Sequence, residues 1–409
     1  MGIISPIGND IETYWNNLVN GVCGIDFITN FPTEDLPVKI AGKVKDFKPE
    51  DYGMDKPFTR KQDLFTQYGV AAAYQAMQQA GLKTEGEDSN IDPFRLGVYV
   101  GSGIGGFEIQ YRETAKMIED PSGKWVSPLF IPTMISNIAA GHIAIKHHAN
   151  GPTIDVVTAC ATSTNNIGEA YRAIKHGYAD AIIAGGAENA TIPLGLAGFA
   201  NAKALSRAEN PKYASLPFNA NRGGFVMAEG SGMLVLEEYE HAKARGAKIY
   251  AEVCGYGNTC DAYHVTAPRP DGVTQSAAIK MALEEAGYDA QKDNLYINAH
   301  GTGTALNDSS ETKAYKLALG DDAYKAHISS TKSMTGHMLG AAGAVEAIAC
   351  VLTSDNAIIP PTINLDAADP ECDLDYTPNT AVKSDITIAI SDSLGFGGHN
   401  GCVAFRKME

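Results

Sequence analysis

The sequence predicts an α/β fold built as two similar halves. Three observations carry that expectation: β-branched runs alternate with amphipathic stretches, a pair of local patterns recurs in each half, and the composition is that of a large globular core. The β-rich runs are LGVYV (96–100), TIDVV (153–157), AIIAGGA (181–187), MLVLEE (233–238), YINAH (296–300) and ITIAIS (386–391), with GCVAF (401–405) as the last. They are mostly apolar rather than strictly alternating, as expected of strands covered on both faces. Between them, Ile167, Ala170, Tyr171 and Ile174 fall at helical spacing before Gly177, and Val345, Ile348, Ala349 and Leu352 repeat the pattern.

The recurrence is local. GVYVGSG (97–103) resembles YINAHGTGT (296–304), and TACATSTNNIGEA (158–170) resembles STKSMTGHMLGAAGAVEA (330–347). The two pairs are unequally spaced, which excludes a solenoid and fits a duplicated half. The seam is expected near residue 250, after the charged stretch EEYEHAKARGAK, giving halves 1–250 and 251–409.

Composition narrows the function. Of 409 residues 44% are hydrophobic and 20% charged, and the net charge of -16 opposes general adsorption to nucleic acid or anionic lipid. An acidic partner would therefore need a local basic patch. The longest uncharged stretch, 126–145, is broken by Pro128, Pro132, Asn137, Gly141 and His142, so no membrane span is expected. The first residues lack a charged leader, and a cytoplasmic location follows as the default. Seven cysteines, with no CxxC pair and no ligand spacing, argue against a disulfide framework and a structural zinc.

Cys160 follows strand TIDVV at the start of a helix, where unpaired backbone N–H groups favour a thiolate and lower the thiol pKa. The same position suits an inert buried cysteine, and spacing alone leaves both readings open. His300 ends a strand in NAHGTGTALND (298–308), where ligands bind in α/β sheets; a satisfied core histidine would sit there equally well. His337 opens a helix beside Gly340-Ala341-Ala342-Gly343, a run that permits close packing, with a capping role as the plainer reading. Lys332 and Glu346 flank it; Glu346 on an apolar helix needs a partner or a raised pKa. Phe396 stands among glycines in SLGFGGHNG (393–401), which is either a gating loop or a plain turn before the last strand.

VVTACATS, NAHGTGT, TKSMTGHMLGAAG and SLGFGGHN, in this order, resemble the motifs of the elongating β-ketoacyl-acyl-carrier-protein synthases, KAS I and KAS II. Likeness extends to GIISPIGN (2–9), GSGIGG (101–106), PFNANRGGFVMAEGSG (217–232) and GYGNTCDAYHVTAPRPDG (255–272), and leans to KAS II. The resemblance implies a thiolase-like fold in αβαβα layers. It further implies Cys160 as nucleophile, His300 and His337 as paired histidines, and Lys332 and Glu346 as their supports. An oxyanion hole would use the backbone N–H groups of Cys160 and Phe396, with Phe396 also the gate. Thr302 and Thr304 match pantetheine-binding positions, while Ile104 and Phe199 match an acyl pocket. The carrier protein would dock on Arg60, Lys61, Lys124, Lys203 and Arg207, and a homodimer would close the pocket with Phe130 and Ile131. No cofactor is implied beyond the pantetheine carried by the substrates. Family members usually place a β-strand before the segment matching GIISPIGN, so a strand of the first sheet is expected to be lacking.

Rival readings have less support. GSGIGG fits a dinucleotide fingerprint, yet residues 119–128 read as a loop where a second strand is needed. A thiolase needs a second cysteine in the C-terminal loop, which here carries Phe396 and His399. A polyketide synthase's ketosynthase, or its non-catalytic chain-length partner, remains as an alternative, and the presence of Cys160 opposes the second.

Overall fold

A computed structural model describes residues 1–408. Its ten principal strands are β1 (Gly2–Ile4), β2 (Leu96–Gly101), β3 (Thr153–Ile154), β4 (Ala181–Glu188), β5 (Gly230–Glu237), β6 (Ala251–Cys260), β7 (Leu295–Asn298), β8 (His327–Ser329), β9 (Ile388–Gly395) and β10 (His399–Lys407). They form two five-stranded sheets, ordered β1-β5-β4-β2-β3 and β6-β10-β9-β7-β8. The directions match strand for strand: the first three of each order are antiparallel and the last three parallel. One topology is thus used twice, which is the duplication the local echoes foreshadow.

Five helices make the layers: α1 (Leu64–Ala80), α2 (Thr162–Lys175), α3 (Val273–Glu285), α4 (Ala305–Leu319) and α5 (Ala342–Asn356). Helix α1 covers the outer face of the first sheet and α3 that of the second, with α4 packed on α3. The central α2 and α5 touch both sheets and each other, completing a thiolase-like αβαβα sandwich. Apolar residues of α5, both sheets and α2 form one continuous buried cluster across the two halves. Close approach depends on missing side chains. A Cβ on Gly343 would lie 1.9 Å from Thr164 Oγ1, and one on Gly168 would lie 2.2 Å from the Tyr256 ring. The small-residue run after His337 therefore serves the tight packing its composition suggests.

Two expectations change. Gly2–Ile4, read as following the first strand, itself pairs with Ser231–Met233 at the sheet edge, so the sheet has the same five-strand order as its twin. TIDVV pairs only through Thr153 and Ile154; beyond them the chain turns toward Cys160, held by Asn166 bonding both backbone groups of Val156. Among the described residues, no helix is long and apolar enough to cross a membrane.

Candidate active site

The two strand-to-helix junctions are superposable in kind. Ala159–Ala161 and Leu339–Ala341 each form one 3-10 turn that runs directly into α2 and α5. Each turn begins with a non-glycine residue in the left-handed region, Ala159 at φ +50° and Leu339 at φ +48°. Such backbone costs about 1–3 kcal/mol and persists where surrounding structure enforces it. At the first junction it presents Cys160; at the second the matching residue is Gly340. The buried Glu188 side chain ties the second junction to the loop after β2, accepting from Ser102 Oγ (2.7 Å), Gly103 N (2.9 Å) and Gly340 N (3.1 Å).

Cys160, His300 and His337, distant in sequence, line one cavity of about 330 Å³. The two imidazole rings stand 5.2 Å apart between centroids and nearly perpendicular. His300 lies two residues beyond β7, its backbone N–H donating to Glu311 Oε1 at 2.6 Å. His337 is fixed by its backbone, which bonds Val226 O (2.7 Å) and Ala228 N (2.8 Å), and Phe225 meets its ring edge-on. Both histidines are buried, and desolvation together with the Lys332 charge pushes their pKa values well below the usual value. They are neutral. Lys332 Nζ lies 3.5 Å from His300 Nδ1, which directs the ring proton to Nε2. Glu346 pairs with Lys332 and, through burial, is pushed up to about 7, so it meets both conditions its sequence position set.

The thiol departs from its expected state. Cys160 opens part of its surface to the cavity but sits deep among protein atoms, and burial pushes it up to about 12 against the opposing pull of Lys332. The helix N-terminus is present, but desolvation of a thiolate outweighs it. The resting group is a thiol.

Other candidates separate by place. Thr302, Thr304, Phe199 and Phe396 line the cavity, and the two threonine hydroxyls are 3.1 Å apart. A Cβ on Gly395 would come 3.3 Å from Cys160 N, so the backbone leading into Phe396 runs beside the Cys160 backbone. Phe396 is 36% exposed, lies with its ring tilted 34° to that of Phe199 at 6.1 Å between centroids, and is followed by Gly397 and Gly398 at positive φ. Ile104 is 40% exposed and is not among the residues lining this cavity. Lys203 stands at the cavity wall with exposed Arg207 nearby in sequence, whereas Arg60 and Lys61 end a short helix and Lys124 pairs with Asp120. Sequence reasoning missed Asp308, Glu311, Tyr315 and Asp392, which are buried behind the His300 turn. Their signal was acidic residues within an otherwise buried helix and strand.

Residues 1–242 match the family described as "Beta-ketoacyl synthase, N-terminal domain" and residues 250–366 match "Beta-ketoacyl synthase, C-terminal domain". The chain is 48% identical over its full length, and 97% of the relative's, to "3-oxoacyl-[acyl-carrier-protein] synthase 2" of Staphylococcus aureus. It is 47% identical to the protein of the same description from Synechocystis, again over 100% of this chain and 97% of that one. Among solved structures it resembles a type II polyketide-synthase acyl-carrier protein in complex with its hexaketide-bound ketosynthase, with TM-score 0.91, 34% identity and coverage of 100% and 98%. A beta-ketoacyl synthase from Burkholderia phymatum gives TM-score 0.90 at 34% identity with the same coverage.

Proposed function

The chain belongs to the beta-ketoacyl synthase family, and on that premise we propose that it condenses malonyl-acyl-carrier-protein with an acyl-carrier-protein thioester in fatty acid elongation, through an acyl-Cys160 intermediate. The observation that carries this reading is the meeting of one cysteine and two neutral histidines in a single cavity. The Cys160 sulfur, losing its proton, attacks the acyl thioester carbonyl; a C–S bond forms and the carrier's pantetheine leaves as the thiol. Malonyl carrier protein then enters, its C–C bond to the carboxylate breaks, CO2 departs, and the electron pair passes into an enolate. His300 and His337 donate Nε2–H to that enolate oxygen, which gains charge only as the bond breaks. The carbanion attacks the acyl carbonyl on Cys160, the C–S bond breaks with its electron pair going to sulfur, 3-oxoacyl carrier protein leaves, and the thiolate takes a proton from water to restore the resting thiol.

Neutral donors suit this step because negative charge grows on the thioester oxygen only as the C–C bond breaks. One preorganised donor of this kind is worth about 3 kcal/mol, roughly two orders of magnitude in rate. The N–H groups of Cys160 and Phe396 would hold the oxyanion of the acyl-transfer step, Phe396 would gate the acyl pocket beside Phe199, and Thr302 and Thr304 would meet the pantetheine arm. Lys332 and Glu346 orient His300. Residues 1–250 would act as the nucleophile half and 251–409 as the histidine and gate half. Lys203 is the best-placed docking residue for an acidic carrier, since it lines the cavity, and exposed Arg207 follows it closely in sequence. A homodimer fits the exposure of Ile131 (57%) and Ile104 (40%), apolar side chains that a partner would cover. The reading is completed by a cytoplasmic location and by the absence of any resident cofactor.

The polyketide alternative has a specific basis in the ketosynthase neighbours, though the relatives named 3-oxoacyl-[acyl-carrier-protein] synthase 2 are more similar in sequence, at 48% against 34%. Incubation with malonyl carrier protein and saturated acyl carrier proteins of several lengths, with products identified by mass, separates the two. Two-carbon extension of saturated chains is expected; extension confined to poly-3-oxo chains, or none, contradicts the proposal. Iodoacetamide labelling at Cys160 opposes a non-catalytic partner role.

A further inference from the structure

Behind the His300 turn lies a buried acidic cluster with a proton count that the geometry fixes. Tyr315 Oη is 2.7 Å from Glu311 Oε1 and 2.8 Å from Asp392 Oδ1, and all three side chains are buried. A phenol has one proton, so it satisfies one carboxylate oxygen and leaves the other facing its lone pairs. The second contact is a hydrogen bond only if a carboxyl carries a proton of its own. The remaining donors decide which. Glu311 accepts from His300 N (2.6 Å), Gly301 N (2.8 Å) and Asn307 Nδ2 (3.0 Å), as an anion does. Asp392 has one other donor, Gln275 Nε2, at 2.9 Å on Oδ2.

We propose that Asp392 is a positioning residue held as a neutral carboxylic acid: its Oδ1–H donates to Tyr315, Tyr315 donates to Glu311, and the Glu311 carboxylate holds the backbone of His300 and Gly301. The link to catalysis rests on the condensing reading above; the protonation does not. Charges from every neighbouring element agree. Helix α4 brings Asp308 and Glu311 and α5 brings Glu346; Cys350 of α5 and Cys402 of β10 are thiols held neutral by burial; and the one cation that acts on Asp392, Lys332, is paired with Glu346. Asp308 is opposed by Arg222, which leaves no free cation for a second carboxylate. Burial pushes both carboxyls of the pair up, Glu311 further than Asp392. The donor count reverses that order within the pair, because three N–H bonds stabilise the Glu311 anion and only one stabilises Asp392. The dyad keeps one proton at neutral pH, and the hydrogen bonds seat it on Asp392.

The sign for stability follows. A carboxyl raised above its unfolded value favours folding at low pH, and that contribution is lost as the pH rises through the folded value. Asp392→Asn mimics the neutral acid, its amide N–H2 facing Tyr315 and its carbonyl facing Gln275, whereas Asp392→Ala removes the relay. Urea unfolding from pH 6 to pH 10 needs no substrate and so separates this proposal from the catalytic reading. The wild-type midpoint is expected to fall more steeply on the alkaline side than the Asp392→Asn midpoint, in which Glu346 and the other raised carboxyls still titrate. In malonyl decarboxylation, Asp392→Ala loses about tenfold, the scale of one hydrogen bond to a charged group, Asp392→Asn restores it, and Glu311→Gln does not. An Asp392→Asn midpoint that falls with alkali as steeply as the wild type does, or Asp392→Asn more damaging than Glu311→Gln, overturns the assignment.

Discussion

A neutral imidazole is the useful form at both His300 and His337, and burial enforces it. The same burial makes the histidines a stability liability in acid. Each has a folded pKa below its unfolded value, so the unfolded chain binds more protons as the pH falls below about 6.5 and folding weakens. His337→Asn removes one such group. Between pH 7 and pH 5 the wild type should lose up to about 1.4 kcal/mol per pH unit relative to this variant, read as urea midpoints. That Cys160, His300 and His337 belong together was legible in the sequence once four ordered motifs stood together, and the three line one cavity. The state of Cys160 was not: a helix N-terminus is visible in a string of residues, but the desolvation that outweighs it comes from atoms contributed by distant segments. Asp392 was illegible for the same reason, because its partners Tyr315, Glu311 and Gln275 lie on two helices that only the fold brings together.

Helix α5 sets the distance between the halves. Thr164 on α2 lies against Gly343 and its hydroxyl bonds Ser393 Oγ at 2.7 Å, two residues before Gly395 and the Phe396 loop. Gly343→Ala drives a methyl into that hydroxyl and so disturbs both the helix pair and the base of the loop. Overpacking of this kind costs about 1–3 kcal/mol, and a thermal melt should report it; an unchanged midpoint would mean that α2 and α5 move apart freely. Periodicity located α2 and α5 well because each has a sustained apolar pattern and a small-residue start. It overextended the TIDVV strand, since β-branched residues are equally at home in the extended segment that leads to Cys160. The Gly2–Ile4 strand was missed for a simpler reason: three residues carry too little pattern to read.

At the scale of the molecule, one sheet topology repeated around a shared helical layer brings two strand-to-helix junctions face to face. The first junction supplies the sulfur and the second supplies an imidazole, so a reaction that neither half performs becomes possible between them. The echo between 158–170 and 330–347 revealed the repeat, but not that its copies meet; antiparallel edges and the central layer are long-range facts. A chain with net charge -16 must also recruit an acidic carrier against its own field. Lys203→Glu with Arg207→Glu should therefore raise KM for carrier-bound substrates about tenfold while leaving kcat nearly unchanged, and weaken the dependence of kcat/KM on salt; an unaltered salt dependence places docking elsewhere. Condensation depends on a division of labour between thiol and imidazoles, which intact-protein mass reads directly. Given an acyl carrier protein, the enzyme should gain one acyl group on the Cys160 peptide and release it on adding malonyl carrier protein; His337→Ala should gain the acyl group and fail to release it, whereas full condensation without an adduct, or with one on another residue, would contradict it.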